Sequence, residues 1–363
     1  VAHCSVGGSR DLFGVQILRG IAASAVVVHH TLEESLGAHV GSRSPDWLIT
    51  SGASGVDIFF VISGFIMLYV SFPPARTPLA PGTFLRKRVL RIFPLYWTVC
   101  LVMLGLGVVG FMSSKSFGTD TVLKSLLLIP DSDALIGVSW TLSYEIYFYA
   151  IFASTLMFGS RGTSVLATSL AIVILMMLGP LMPAGDIGRF VSDPIALEFC
   201  FGLFLAWDFE ARGEWAPISF VWFPIAFSAL AAAPALVPHD TTGGLSSPVR
   251  VIAWGLPAVF VLASFLSLKE SRRRGMQFAA LLGDASYSIY LTHIFVMIAY
   301  AKLLKSTGLA EVSQPPVILL VIVTAVAVGL LTHLSIERPL QALVRSPASR
   351  RIDRPATLPE EAR

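Results

Sequence analysis

Apolar stretches long enough to cross a bilayer recur along almost the whole chain, and no other feature restricts its fold as much. Ten are legible, at about 16–35, 53–71, 92–112, 136–158, 163–183, 194–210, 218–237, 249–268, 281–301 and 315–336. A helix needs roughly 20 apolar residues to span hydrocarbon. In lipid its backbone groups must be bonded within the segment itself. The pattern therefore predicts an all-α fold, a polytopic membrane helix bundle of about ten transmembrane helices. Composition agrees, because 13% charged residues is about half the share of an ordinary soluble domain. A water-soluble globular enzyme is thereby excluded, and 55% hydrophobic residues exclude disorder. Cys4, Cys100 and Cys200 are too few and too scattered for a disulfide framework.

A further apolar piece, 122–130, is too short to span and reads as interfacial or re-entrant, ending at Pro130. The compositional break falls at 338–363, rich in Arg, Pro and Glu, and residues 341–363 are expected to be a basic, disordered tail. No internal repeat or soluble domain is visible. The first span ends in His29, His30, Glu33 and Glu34 rather than at a small-residue cleavage site, which argues against a signal peptide. Val1 at the start suggests an alternative start codon or a trimmed end.

Orientation follows from the basic residues. With the N-terminus inside, only Arg43, Lys115, Lys124, Arg189, Arg250, Lys302 and Lys305 fall outside, 7 of 26, leaving 19 within. That asymmetry is a positive-inside signal, and an even number of spans makes both termini cytoplasmic.

Ionisable groups within spans mark functional candidates. Arg19 and His30 are eleven residues apart, which puts them about 20° from each other on one helix face and ~16 Å apart along it. A cation at the entrance and a titratable base further in suit a long ligand with an anionic head and a reactive tip. His29 points about 80° away from Arg19. The structural alternative is an arginine snorkelling to headgroups and a histidine bonded to a neighbouring helix. Arg88 and Arg91, in the run Arg86-Lys87-Arg88-Val89-Leu90-Arg91, share a face and have the planar fork that suits phosphate; topology alone also asks for basic residues there. Glu145, in the stretch SWTLSYEIYFY, is a carboxylate inside a span, fit to orient a hydroxyl or to pair with an arginine. His293, seven residues after Ser286 on one face, reads as a satisfied core histidine. Asp57 and Glu198 read as packing partners or site-lining groups.

A metal reading of His29, His30, Glu33 and Glu34 lacks an HExxH motif and a nearby cysteine, and is set aside. Instead, Glu33 or Glu34 is expected to bond His30 and fix its tautomer. Walker A, GxSxG and dinucleotide fingerprints are absent, and nothing suggests nucleic-acid binding.

Taken in order, LRGIAASAVVVHH, SGVDIFFVISGF, RKRVLRIFPLYW, SWTLSYEIYFY, LGDASYSIYLTH and SIERPL resemble the motifs of the integral-membrane acyltransferase 3 family, over residues 16–340. The opening GVQILRGIAA looks most like the exopolysaccharide and O-antigen acetyltransferases of that family. The resemblance implies an acyltransferase 3 membrane domain over 1–340, in a bacterial inner membrane. It implies transfer of an acyl group, usually acetyl, from cytoplasmic acyl-CoA to a hydroxyl of a polysaccharide or lipid-linked glycan. The donor is a substrate, with no permanently bound cofactor and membrane lipids as surroundings. The family's arginine–ten–histidine motif falls on Arg19 and His30, and its RxxR motif on Arg88 and Arg91. The SGNH esterase-like domain that some members carry is not expected after this short tail. On these grounds His30 and Glu145 are the catalytic candidates, and Arg19, Arg88 and Arg91 the donor-binding ones. His30 would act as general base or as acyl-accepting nucleophile. The competing class is a transporter or flippase using His30, Glu145 and His293 as a proton relay, for which no inverted repeat is visible.

Overall fold

The computed structural model describes residues 12–37, 46–73, 77–111, 118–212, 219–240, 244–307 and 314–344. Of the tail read above as disordered, 341–363, residues 341–344 belong instead to the last helix, and those from 345 onward lie outside the described residues. In chain order the helices are α1 (Phe13–Gly37), α2 (Asp46–Ser51), α3 (Gly55–Ser71), α4 (Pro81–Val108), α5 (Thr119–Leu126), α6 (Trp140–Thr155), α7 (Arg161–Leu178) and α8 (Asp186–Ser192). They continue with α9 (Leu197–Arg212), α10 (Ser219–Leu236), α11 (Ser247–Arg250), α12 (Leu256–Leu266), α13 (Arg274–Asp284), α14 (Ser286–Thr307), α15 (Gln314–Thr332) and α16 (Arg338–Val344). One two-residue pairing, His239–Asp240 with Gly244–Leu245, is the only strand among the described residues.

All ten apolar stretches are helical, yet they are not equal. Seven helical stretches are long and apolar enough to cross a membrane, and an eighth forms if α8 and α9, bent by 45°, count as one span. The other two fall short. α6 has 16 residues and unwinds into tight turns at Gly137–Ser139 and Leu156–Phe158. α10 carries Pro224 and Pro234 inside, and its apolar core is Val221–Leu236. The short piece read as interfacial is α5, eight residues long. The basic run does not precede its span but lies on it, because α4 starts at Pro81, a favoured first helical residue.

Large apolar side chains such as Leu101, Val108, Leu170, Val221 and Leu320 face outward, the surface that lipid requires. Inside, helices approach at glycines. A Cβ at Gly64 of α3 would sit 2.0 Å from the Phe199 carbonyl oxygen of α9, and one at Gly202 of α9 would sit 2.0 Å from that of Val61. Only hydrogen fits at either contact, the small-residue packing common between membrane helices. Gly283 of α13 meets the Gln16 carbonyl of α1 in the same way. That crossing sets the start of α14 beside the arginine-bearing face of α1.

Candidate active site

A cavity of about 1030 Å³ opens between α1, α3, α4, α6, α14 and the last helices. Arg19, Arg88, Arg91 and Glu145 all line it, so four of the five candidate residues meet in one space. Their convergence follows from the helices. Arg19 lies on the α1 face held by the Gly283 crossing, Arg88 and Arg91 one turn apart on α4, and Glu145 in the first half of α6.

None of the three arginines has a carboxylate oxygen within ion-pair distance among the described residues. Arg19 donates from Nη1 to Gln16 Oε1 at 3.1 Å. Arg88 lies over the Phe84 ring at 5.5 Å, and its buried Nε has no hydrogen-bond partner. Glu145 accepts from the Tyr149 hydroxyl at 3.1 Å and lies within electrostatic range of all three guanidinium groups without pairing with any. Water and its ions screen the charge of a surface arginine. Here three, with Arg338 a fourth, share a partly enclosed cavity with Glu145, Asp284 and Glu337, yet none of Arg19, Arg88 and Arg91 is ion-paired, which leaves their guanidinium forks open to an anionic ligand.

His30 is not on the cavity wall. α1 runs unbroken through Arg19 and His30, so their face and offset stand as the spacing requires. Between the cavity and His30, however, stand Tyr290, which lines the cavity, and His293. The Tyr290 and His293 rings are 5.9 Å apart, those of His293 and His30 5.1 Å, and those of His30 and His29 5.0 Å. The expected Glu33 or Glu34 contact to His30 is not what fixes its tautomer. Its Nδ1 donates to the Val26 carbonyl, one turn back, at 3.0 Å. A carbonyl only accepts, so the neutral ring carries its lone pair on Nε2. Glu33 sits instead by His29, at 3.9 Å from Nε2, while His29 Nδ1 donates to the Ile49 carbonyl at 2.8 Å.

His29, His30 and Glu33 bring ligand atoms within 4.8 Å of one another. At that spacing the trio could hold a metal ion, although the sequence reading set a metal aside.

His293 is fully buried, and its ring nitrogens meet only the backbone of Ile289 and Tyr290, in contacts too poorly aligned to count as full hydrogen bonds. Asp57 turns out to be a packing partner. Arg250 grips it with both forks, Nε to Oδ1 at 2.8 Å and Nη2 to Oδ2 at 2.9 Å, between the Trp140 and Trp254 rings. Glu198 is fully buried in electrostatic contact with that pair. Neither carboxylate lines the cavity. Asp284 ends α13 and lines the cavity beside Ser286. Sequence reasoning missed Tyr149, Tyr290, His333, Glu337 and Arg338 on the same wall. His333 and Glu337, ionisable residues one turn apart at the end of an apolar run, carried the signal that would have found two of them.

Residues 12–334 match the Acyltransferase domain family, the acyltransferase 3 group. The chain belongs to that family. It is therefore a multi-pass membrane acyltransferase that transfers groups other than aminoacyl groups. The acyltransferase is 32% identical to the exopolysaccharide production protein ExoZ of Rhizobium meliloti, over 80% of this chain and 90% of that one. It is 26% identical to the acyltransferase MdmB of Streptomyces mycarofaciens, over 90% and 91% of the two chains. A protein of the picA locus of Rhizobium radiobacter is 26% identical over 44% of this chain. No solved structure matches the acyltransferase. Family membership favours the transferase reading over the transporter one.

Proposed function

We propose that this acyltransferase moves an acetyl group from acetyl-CoA to a hydroxyl of a cell-surface or exported polysaccharide, or of its lipid-linked precursor. We place it in the bacterial inner membrane, crossing ten times with both termini in the cytoplasm. One observation carries the donor: three guanidinium groups without ion-pair partners converge in a single cavity. An acyl-CoA combines the phosphates that would neutralise them with the acyl group that an acyltransferase must accept. The basic inner side raises its local concentration. The similarity to ExoZ, a protein named for exopolysaccharide production, supports the polysaccharide acceptor.

In the reaction, the phosphates rest on Arg19, Arg88 and Arg91, and the thioester reaches past Tyr290 and His293 toward His30. The acceptor oxygen attacks the thioester carbonyl, its proton passes to His30 Nε2, and the C–S bond breaks to release the coenzyme as a thiolate that takes up a proton. His30 Nε2 is equally placed to take the acetyl group first as a nucleophile. Labelled acetyl retained on the protein without acceptor separates that route from direct attack. Glu145, held by Tyr149, spaces the guanidinium groups.

The deciding measurement is acetyl incorporation into the polysaccharide by His30→Ala, alongside acetyl-CoA binding. The expected result is a fall of about 10²–10⁴-fold, the scale of a lost general base, with binding kept. Full transfer by that variant would overturn the assignment of His30, and failure of the wild-type protein to bind acetyl-CoA would overturn the donor.

A further inference from the structure

The mouth of the cavity holds a fourth arginine with a support of its own. α15 ends in one wide turn, His333–Glu337, and α16 begins at Arg338. Such wide turns concentrate at functional sites. Within it, His333 Nδ1 donates to Glu337 Oε2 at 2.7 Å, so the ring keeps its lone pair on Nε2. That Nε2 accepts from Arg338 Nε at 3.0 Å. Glu337 is itself fixed, by Ser288 Oγ at 2.7 Å on the same oxygen and by Gln341 Nε2 at 2.8 Å on the other. His333 and Glu337 are buried, whereas Arg338 is exposed and lines the same cavity. The carboxylate is thus held by three donors and does not engage Arg338 directly. The guanidinium is tethered through Nε to a neutral ring, and its two terminal amino groups have no protein partner among the described residues. α16 packs against α4, the helix of Arg88 and Arg91.

We propose that Arg338, positioned by His333, binds the ribose phosphomonoester at the nucleotide end of the acyl-CoA, and so selects the donor by that phosphate. The inference rests on the donor reading above. A CoA thioester carries its diphosphate mid-chain and a dianionic monoester at the end farthest from the acyl group. With the thioester inward, the deeper arginines meet the diphosphate, and the exposed one meets the monoester. A guanidinium held only through Nε still offers Nη1 and Nη2 as a fork, the bidentate geometry suited to phosphate. His333 is a positioning residue here, and Arg338 a specificity determinant.

The test compares KM for acetyl-CoA and for acetyl-dephospho-CoA, which lacks only the monoester, in the purified full-length protein. In the wild-type protein the dephospho donor should have a KM about tenfold higher, the scale of one charge-assisted hydrogen bond. In Arg338→Gln that ratio should fall to about one, with Arg338→Lys between. His333→Leu should lower the ratio in the same direction. Arg338 is exposed, so its variants keep the fold and carry the test even if His333→Leu does not. A wild-type ratio near one, or a ratio in Arg338→Gln as large as in the wild type, would overturn the assignment while leaving the donor reading intact. Failure of both thioesters to serve as donors would instead remove the donor reading, and this inference with it.

Discussion

Neither ring nitrogen of the buried His293 makes a hydrogen bond of full geometry, its polar contacts being weak ones to the backbone of Ile289 and Tyr290. Leaving such a group buried costs about 1–3 kcal/mol, and replacing it with an apolar side chain of similar shape is nearly neutral or stabilising. A structural histidine would therefore be dispensable, whereas one standing between the donor cavity and His30 would not. His293→Leu is expected to melt at or above the wild-type temperature and to lose at least about tenfold in acetyl transfer. A thermal melt and a transfer assay on one preparation check both, and full activity in a stable variant would make His293 a spectator. Arg88 poses the complementary question on the other side of the cavity. Its fork, not only its charge, is what a phosphate would use, so Arg88→Lys should raise the KM for acetyl-CoA by about tenfold and Arg88→Gln by more. Equal KM values for Arg88→Lys and the wild-type protein would reduce Arg88 to a topology signal.

The helices meet where glycine permits it, and the site depends on those meetings. A side chain at Gly202 would drive α9 away from α3, since its Cβ falls 2.0 Å from the Val61 carbonyl. Backbone cannot yield as a side-chain end can, so Gly202→Val should lower the melting temperature and the yield of folded protein by the equivalent of ~1–3 kcal/mol or more. Gly162, whose nearest neighbour is the Trp207 ring at 3.6 Å, is the contrasting site, and Gly162→Ala should melt within a degree or two of the wild type. At this scale the sequence was informative within elements and silent between them. Every apolar stretch became a helix, because a lipid-exposed backbone has no other way to bond its polar groups. The shared face of Arg19 and His30 followed from helical period alone. What spacing could not show is which helices are neighbours. His333 and Arg338 stand about 300 residues after α1 yet line the same cavity. For the same reason the partition of Tyr290 and His293 in front of His30 went unseen. The partner that fixes the His30 tautomer differs from the expected glutamate because a backbone carbonyl four residues back competes with any side chain.

Across the whole molecule, buried charge is distributed in two ways. Away from the cavity, Arg250 and Asp57 neutralise each other with full bidentate bonding; in the cavity, the arginines are left without ion pairs. The first arrangement secures α3 against the turn that begins the α11–α12 span, and the second waits for a ligand. Breaking the first should destabilise the protein: Asp57→Asn takes away the bidentate partner of the buried Arg250 and leaves only Glu198 and Asp193 in electrostatic range, at a cost of up to about 3–5 kcal/mol. The two arrangements also bear on how many times the chain crosses. The Trp140 end of α6 lies 5.8 Å from Arg250, whereas its Thr155 end bonds to Thr168 of α7 at 2.9 Å and accepts from Ser164 at 3.0 Å. A 16-residue helix rises ~24 Å, and the turns that flank it add enough to link the two sides, so we expect α6 to cross despite its length. Ten crossings then place Ser160 on the cytoplasmic side and Ala184 on the opposite one. Both are exposed. In a background with Cys4, Cys100 and Cys200 replaced by serine, a membrane-impermeant maleimide should label Ala184→Cys in intact spheroplasts and Ser160→Cys only after permeabilisation. Labelling of Ser160→Cys from outside would take α6 out of the count. The distribution of basic residues, 19 to 7 under this topology, would then have to be explained with Arg161 on the opposite side from Arg86, Lys87 and Arg88.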